Sequence, residues 1–416
     1  MTIPSSPKNR QRILSNIKKR VIASHINVAD IDYEAWLRLV DEREAALLPA
    51  TIDAFEDGVR NLLLELRSSH TAFYHELPTR FPPQHTINAT LISAKGCNGC
   101  SGWVFLDVFT EGPAYNAGIR PGDFLLKVDG VEQFPPDLPV FAIGKMHKLT
   151  IYQGTQPYRD IEVQVPHAKG TKQRPPIVEP RSIVHSMPRP GIGLLKIAHF
   201  SGSLGMRFAS ELDRAVSDLK AQGCTRLIVD LRGNIGGSLG FARLASYLCP
   251  NQVPIGHSLT PQRLRKGYTL DQLPRVPMPN NRIELGVTLA RFAVQDKSLM
   301  LLTQGLGPQP FHGKTVMLIN EWTNSAAEIV AAFGKEAGLA TVLGEKTRGN
   351  VLGAANFAVG KGYWLRLPVF GWFSSEGKSL EGVGVAPNVE VGMLPSLVTD
   401  RRDAQLDRAM AILSNM

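Results

Sequence analysis

The chain has 416 residues, of which 43% are apolar and 20% charged, and this composition excludes disordered and fibrous classes of protein. No apolar run approaches the roughly 18 residues that a membrane-spanning helix needs. The first thirty residues lack the apolar centre of a secretory signal, and four cysteines are too few for a disulfide framework. We therefore expect a soluble, cytoplasmic protein of two or three domains without a membrane span, with an organelle transit segment as the open alternative.

The positive charge is concentrated at the start of the chain. The formal net charge is +9, and the first 29 residues hold six basic side chains and no acid, which leaves +3 for the rest. The six are Lys8, Arg10, Arg12, Lys18, Lys19 and Arg20. Between them Ile13, Ile17 and Val21 recur at helical spacing, which predicts an amphipathic helix with a solvated basic face. Nucleic-acid contact through residues 8–20 is the weaker alternative, so no nucleic-acid partner is expected.

The sequence pattern changes along the chain and predicts a multi-domain α/β protein. Residues 9–69 show helical periodicity, with Phe55, Val59 and Leu62 on one face. Short β-like runs and a Pro-rich basic stretch follow, and after Gly191 apolar strands alternate with helices, as in a βαβ sheet. The predicted regions are an N-terminal helical region (1–92), a small β domain (93–168), a linker (169–190), a core (191–396) and a C-terminal helix (397–416).

The small β domain carries an informative run at residues 111–123, EGPAYNAGIRPGD. Pro113 suits the first turn of a short helix and Gly118 its left-handed end. This run resembles the PDZ domain of bacterial-type proteases. The resemblance implies that an extended peptide adds to a sheet edge while backbone amides bind its carboxylate. The implied peptide-binding residues are Gly102, Trp103, Val104 and Phe105; a spacer that binds nothing is the alternative.

Two loops of the core carry residue types suited to nucleophilic catalysis. The apolar run at 227–231 opens into the glycine-rich loop at 233–237, and such a loop exposes backbone N–H groups to an anion or oxyanion. Ser325 lies between a strand-like run and a helical pattern, where a nucleophile is exposed. Each signal is weak alone, because phosphate-binding loops share the first geometry and Ser325 also suits a plain helix N-cap.

Four motifs give a more specific signal when they are taken together. They are LRGNIGG at 231–237, NSAAEI at 324–329, LGEKT at 343–347 and EGVGVAP at 381–387. In this order they resemble the tail-specific, or C-terminal processing, serine peptidase family, in which a PDZ domain precedes the catalytic core. The resemblance covers most of residues 65–416. It implies a crotonase-like βαβ core, protein or peptide substrates with exposed C-termini, and neither cofactor nor metal.

The catalytic base departs from the commonest pattern of that family. Many members use a lysine 25 residues after the nucleophile, and that position is Asn350, whose amide cannot hold a proton. A second branch, resembling the tricorn core protease and its chlamydial relative, uses a Ser–His–Glu set with a helper serine. The residues implied by this resemblance are Ser325 as nucleophile, His70 as base, Glu381 as its carboxylate and Ser69 as helper.

The resemblance also implies an oxyanion hole. Its donors would be the N–H groups of Gly237 and Ala326, with Gly236 as a substitute for Gly237. Two alternatives stay open: a shifted Ser–Lys dyad that uses Lys346, and a non-catalytic ligand- or peptide-binding protein on the same fold. The Cys97-Asn98-Gly99-Cys100 run is interpreted as a hairpin turn and not as a metal site, because a zinc site needs a second ligand pair.

Overall fold

The computed structural model describes residues 6–76, 80–95, 101–154, 156–167, 177–202, 205–279, 283–284, 286–287, 290 and 298–416. It confirms a mixed α/β chain with several sheets. The turn predicted at Cys97 and Cys100 lies outside the described residues. Within the described part of the chain, no helix combines the length and apolar character needed to cross a membrane.

The described chain begins with three helices and one strand: α1 (Pro7–Ser24), α2 (Tyr33–Leu47), α3 (Ile52–Leu64) and β1 (Ala72–His75). Each helix follows a side-chain N-cap, provided in turn by Ser6, Asp32 and Thr51. The predicted apolar face of α1 is confirmed, since Ile13 and Ile17 are buried in the same core as α2 and α3. This core closes the back of the sheet that contains β1.

The small β domain is a six-stranded antiparallel sheet with the order β3–β4–β5–β8–β9 and a short β6 beside β5, while β2 pairs with β7. Its strands are β2 (Arg80–Phe81), β3 (Ala89–Lys95), β4 (Ser101–Val108), β5 (Phe124–Val128), β6 (Val131–Glu132), β7 (Phe141–Ala142), β8 (Met146–Tyr152) and β9 (Arg159–Gln164). Two one-turn helices belong to it, α4 (Pro83–Thr86) and α5 (Pro113–Asn116). The short helix predicted at Pro113 is confirmed, and Gly118 follows it with φ +88°.

The rest of the chain forms two further sheets. Its strands are β10 (Ile183–Arg189), β11 (Ile192–Ile197), β12 (Arg226–Asp230), β13 (Pro254–Leu259), β14 (Arg275–Pro277), β15 (Leu299–Leu302), β16 (Thr315–Ile319), β17 (Thr341–Gly344), β18 (Gly353–Gly360), β19 (Tyr363–Ser374) and β20 (Val389–Glu390). Its helices are α6 (Met206–Ala221), α7 (Phe241–Leu248), α8 (Pro261–Lys266), α9 (Ala326–Glu336), α10 (Pro395–Thr399) and α11 (Ala404–Ser414), with a 3-10 turn at Leu270–Gln272.

The core sheet has the order β10–β11–β12–β16–β17–β20, and all its pairs except β10–β11 are parallel. Successive side chains of a strand point to opposite faces. Leu227 and Val229 of β12 therefore pack with α6, α7 and α9, whereas Ile228 packs with Leu413 of α11. Because its strands run parallel, the loops after β12 and β16 leave the same edge of the sheet.

The second sheet, which we call the cleft sheet, has the order β1–β19–β13–β15–β14, with β18 also paired to β19. Residues far apart in the sequence meet here, since Ala72 lies opposite Arg366. Phe73 and Leu365 point from one face into the core of α1, α2 and α3. The other face of β1, β18 and β19 contributes to the wall of the large cleft described below.

The predicted boundaries differ from the structure at two places. Residues 183–189 were assigned to a linker, but they form strand β10 at the edge of the core sheet. The composition of this segment misled the interpretation, because Pro188 and Pro190 are typical of linkers yet are also tolerated at a sheet edge. The boundary placed at residue 93 also cuts through β3, which spans Ala89–Lys95.

Candidate active site

Ser325 lies at the turn between β16 and α9, at the N-cap position of the helix. Its backbone has φ 55° and ψ −117°, whereas an ordinary N-cap residue is extended with a negative φ. Side chains other than glycine rarely adopt a positive φ, and such strain clusters at functional sites. The N-cap alternative therefore accounts for the position of Ser325 but not for its conformation, which suits a nucleophile on a sharp strand-to-helix turn.

The glycine-rich loop after β12 lies directly against Ser325. Fully buried Asn234 fixes this loop, because its Nδ2 donates to the Ile197 carbonyl at 2.7 Å and its Oδ1 accepts from the Gly236 N–H at 2.7 Å. A Cβ atom on Gly236 would lie 2.8 Å from Cβ of Ser325, and Gly236 has φ +81°. Only glycine therefore fits beside the serine.

The backbone donors near Ser325 divide into paired and unpaired groups. The N–H of Gly236 is already bonded to Asn234, so Gly236 is not a substitute oxyanion donor. The carbonyl of Gly236 and the N–H of Ser238 both bond to Phe200, at 2.9 and 3.0 Å. Among the described residues, no partner accepts from the N–H of Gly237 between them, or from that of Ala326 in the first turn of α9.

Ser69, His70 and Glu381 form one hydrogen-bonded chain. Oε1 of Glu381 accepts from the Ser69 N–H at 2.7 Å, and Oε2 accepts from the Ser69 hydroxyl at 3.0 Å and from the Val351 N–H at 3.0 Å. The Ser69 hydroxyl lies 2.9 Å from Nδ1 of His70. Glu381 thus reaches the imidazole through Ser69, and the described residues contain no direct hydrogen bond between Glu381 and His70.

The direction of these bonds defines the tautomer of His70. A hydroxyl carries one proton, and Ser69 donates it to the Glu381 carboxylate, which can only accept. Ser69 must therefore accept from His70, which places a proton on Nδ1 and leaves Nε2 as an acceptor. Burial, reinforced by the positive charge of Arg366, lowers the pKa of His70 to about 4. The imidazole is therefore neutral at pH 7 and can take a proton.

Four of the predicted residues line one large cleft of about 1960 Å³. Ser69, His70, Gly237 and Ser325 all line it, although more than 250 residues separate His70 from Ser325 in the sequence. Glu381 lies behind Ser69 and does not line the cleft. In the part of the chain that is described, no group of three or more His, Cys, Asp or Glu side chains is placed to hold a metal ion.

Lys346, the alternative base, is exposed and does not line the cleft that contains Ser325. Asn350 does line the cleft, and its Nδ2 donates to Oδ1 of Asn324 at 3.0 Å, next to the serine. The position expected for a lysine base therefore holds a neutral amide that organises the loop. This geometry does not support a shifted Ser–Lys dyad.

Glu328 is a site residue that the sequence interpretation missed. Its carboxylate is fully buried and accepts four hydrogen bonds. The donors are the N–H groups of Ser325 (2.9 Å), Gly349 (2.7 Å) and Asn350 (2.8 Å) and the hydroxyl of Thr347 (2.6 Å). Burial raises the pKa of Glu328, and these bonds oppose the rise. The Ser-x-x-Glu spacing of 325–328, typical of a capping box, was the signal available in the sequence.

Arg366 is the second missed residue. It projects from the middle of β19 into the cleft wall. Burial lowers the pKa of its guanidinium, and its charge contributes to the lowered pKa values of His70 and His85. Among the described residues it has neither a hydrogen-bond acceptor nor an acidic partner. An arginine in a strand gives no local sequence signal, so only the pairing of β1 with β19 brings it to the site.

The predicted peptide-binding strand is not an open edge. Gly102, Trp103, Val104 and Phe105 belong to β4, which pairs with β3 along its length. Trp103 and Val104 also pair with β5 on the other side, and their side chains are buried. A peptide cannot add to a strand with partners on both sides unless it displaces one of them. The end strands of this sheet are instead β3 and β9.

Comparison with known proteins places this site in a family context. Residues 191–391 match the family model described as Peptidase family S41. The chain is 25% identical over 397 residues to a tricorn protease homologue of Streptomyces coelicolor, a match that covers 91% of this chain and 30% of that protein. It is 25% identical over 302 residues to the carboxy-terminal processing protease CtpA of Bacillus subtilis, covering 70% and 54% respectively. The chain therefore spans between about a third and a half of these relatives.

Solved structures share the fold at low sequence identity. The photosystem II D1 C-terminal processing protease aligns with a TM-score of 0.55 and 16% identity, covering 97% of both chains. Mature CPAF complexed with lactacystin aligns with a TM-score of 0.57 and 15% identity, covering 98% of both chains. These similarities extend over the N-terminal helices and the β domain as well as the core.

Proposed function

We propose that the chain belongs to Peptidase family S41, whose model residues 191–391 match, and that it is a serine endopeptidase with a Ser–His–Glu mechanism. Ser325 is the nucleophile, His70 is the general base and acid, and Glu381 acts on His70 through the Ser69 hydroxyl. The substrates are proteins or peptides with exposed C-terminal tails. The observation that carries the proposal is the neutral, Nδ1-protonated His70, held by Ser69 in the same cleft as the strained Ser325.

The catalytic cycle follows from these contacts. Nε2 of His70 takes the proton of the Ser325 hydroxyl as its Oγ attacks the scissile carbonyl, and the N–H groups of Gly237 and Ala326 donate to the oxyanion that forms. His70 then gives this proton to the leaving amine. Water hydrolyses the acyl-enzyme by the same route in reverse. Throughout, the Glu381 carboxylate stabilises the imidazolium by polarising the Ser69 hydroxyl that accepts from His70.

We propose that the β domain is a PDZ-like module that binds the C-terminal tail of the substrate and guides it to the cleft. We assign this role to strand β3, which lies at one end of the sheet order and has no strand partner on its outer side within the described residues. An extended tail adds to such an edge through main-chain hydrogen bonds.

Cleavage of an unstructured, tagged protein by the purified chain tests the proposal. Ser325→Ala and His70→Ala should each abolish cleavage, because each removes a group that forms or breaks bonds. Lys346→Ala is the matched control and should leave cleavage intact, since Lys346 is exposed and outside the cleft. If Lys346→Ala lost activity and His70→Ala kept it, the result would favour the alternative Ser–Lys dyad over the Ser–His–Glu mechanism. Inactivity of the wild-type chain toward such substrates would favour a binding protein on the same fold.

A further inference from the structure

The cleft wall beside His70 presents a positive charge without a counter-ion. Arg366 is flanked by β1 on one side and β18 on the other, opposite Ala72 and Asn356. A partly buried guanidinium without an acidic partner is unfavourable, because desolvation is not offset by pairing. Within the described residues Arg366 has no such partner, so this site suits an anion from outside the chain.

Two neutral groups on the same wall also lack hydrogen-bond partners. The hydroxyl of Tyr74 and Nδ1 of His85 are buried and form no hydrogen bond with the described residues. Tyr74 stands two residues after Ala72, the partner of Arg366, and therefore shares its face of the cleft sheet. Tyr74, His85 and Arg366 all line the cleft, and the charge of Arg366 acts on the pKa values of the other two.

The charge of the whole cleft favours an anionic ligand. Its lining includes five basic side chains and three acidic ones. The basic ones are Arg60, Arg80, Lys145, Arg348 and Arg366, and the acidic ones are Asp53, Glu56 and Glu179. Arg60 is neutralised by Glu56 and Asp57 at 2.6 and 2.7 Å, and Arg348 by Glu321 at 2.6 Å. Arg366 differs from these two arginines because no carboxylate among the described residues pairs with its guanidinium.

We propose that Arg366, Tyr74 and His85 form a subsite for the C-terminal carboxylate of the substrate. The inference rests on the proposed function, because the reaction fixes which end of the substrate lies there. His70 must protonate the leaving amine, so the fragment after the scissile bond begins beside His70. Arg366 lies opposite Ala72, which follows His70 by two residues, and both Arg366 and His70 line the cleft. A planar guanidinium binds a carboxylate through two parallel hydrogen bonds, and Tyr74 and His85 add one donor each.

The subsite couples substrate binding to the strength of the base. Ser69 and, behind it, Glu381 lie on the Nδ1 side of His70, and the charge of Arg366 acts on its pKa. The other titratable groups that line the cleft near this wall are Tyr74, His75, His85, Glu179 and His199. A carboxylate bound to Arg366 cancels the charge that helps to lower the pKa of His70. The acid limb of kcat should therefore lie at higher pH for a free-acid peptide than for its amide.

Binding to the full-length Ser325→Ala chain tests the subsite without requiring turnover. The probes are fluorescein-labelled short peptides of random sequence, made as free acids, as amides, and as amides that end in aspartate. Fluorescence anisotropy should show at least about tenfold tighter binding of the acids than of either amide pool, as expected for charge-assisted hydrogen bonds. In the double variant with Arg366→Gln, the acid and the amide pools should bind equally.

The control variants separate this outcome from unfolding and from non-specific charge effects. Arg60→Gln removes a cleft arginine that is already paired and should leave the preference for acids intact. Tyr74→Phe should reduce that preference without removing it, and it serves as the second variant if Arg366→Gln does not fold. Equal binding of acids and amides, or a preference that survives Arg366→Gln, would overturn the subsite. Equal binding of the aspartate amides and the acids would overturn the assignment to the chain end.

The two proposals fail in distinguishable ways. Absence of Ser325-dependent cleavage would refute the peptidase, yet it would leave the anisotropy result unchanged, because that measurement uses the inactive serine variant. Conversely, cleavage of acids and amides with equal kcat/KM by the wild-type chain would support the peptidase and contradict the carboxylate subsite.

Discussion

The Ser69 hydroxyl controls the proton positions in the catalytic chain, because it connects Glu381 to His70. In a direct His–carboxylate pair the carboxylate itself orients the imidazole. Here the oriented hydroxyl does so, and the backbone N–H of Ser69 also anchors the carboxylate at 2.7 Å. Ser69 is therefore a positioning residue that acts through His70, and its loss should change catalysis more than folding.

Substitution of Ser69 tests this role. Ser69→Ala should lower kcat/KM roughly 100-fold, at the low end expected for impairing a general base, and should leave KM nearly unchanged because Ser69 does not bind the scissile carbonyl. Ser68→Ala is the matched control, since the Ser68 hydroxyl bonds to His25 and Thr71 and not to the catalytic chain. Steady-state kinetics on a fluorogenic peptide provides the measurement, and wild-type kcat/KM in Ser69→Ala would refute the relay.

The pH profile of kcat/KM tests the ionisation of His70. The base must be neutral, and its pKa is lowered to about 4 by burial and by Arg366. Activity should therefore stay constant as the pH falls from about 8 to 6, and be lost only as the pH falls through the region near 4. An acid limb centred near the ordinary histidine value of about 6.5 would show that His70 is not in this buried state or is not the base.

The elements around Ser325 are held by one carboxylate. Glu328 of α9 fixes the N–H of the nucleophile and the backbone of the loop after β17 at the same time. All four groups that contact it are donors, so the site requires a carboxylate with two accepting oxygens. A strained backbone such as that of Ser325 persists only when its surroundings hold it in place. Glu328 supplies this restraint from behind Ser325 and does not line the cleft.

Replacement of Glu328 should therefore destabilise the folded chain and also abolish its peptidase activity. In Glu328→Gln the amide group would direct two N–H donors at other donors, and we expect the free energy of unfolding to fall by about 2–4 kcal/mol. Urea unfolding followed by circular dichroism measures this change. Glu336→Gln, at the other end of α9, should change the free energy of unfolding by less than about 1 kcal/mol. Wild-type stability in Glu328→Gln would contradict the restraint.

At the scale of the whole molecule, local patterns indicated the loops that line the cleft but not the long-range strand pairing that forms its wall. The glycine-rich loop, the turn at Ser325 and the amphipathic α1 follow from short-range periodicity and turn chemistry. The pairing of Ala72 with Arg366 joins residues almost 300 positions apart, and no local pattern records such a contact. For the same reason the sequence does not show that the predicted peptide-binding residues 102–105 lie in β4, between β3 and β5, and the prolines near β10 suggest a linker.

The cleft thus combines four distant parts of the chain, each of which contributes what the others lack. In the proposed mechanism, the segment before β1 provides the base, the parallel core provides the nucleophile and the backbone donors, the segment after β19 provides the carboxylate, and β19 itself provides the cation. The N-terminal helices support this arrangement from behind, because their core includes Phe73 and Leu365, the neighbours of the cleft-facing residues. The cleft therefore depends on the N-terminal region as well as on the core.

Labelling of Ser325 by a fluorophosphonate, located by mass spectrometry, tests the central claim most directly, because only an activated serine reacts rapidly with such a probe. The folded wild-type chain should be labelled at Ser325, Lys346→Met should be labelled at the same rate, and His70→Gln should lose labelling by at least about 100-fold. Undiminished labelling in His70→Gln, together with its loss in Lys346→Met, would contradict the account.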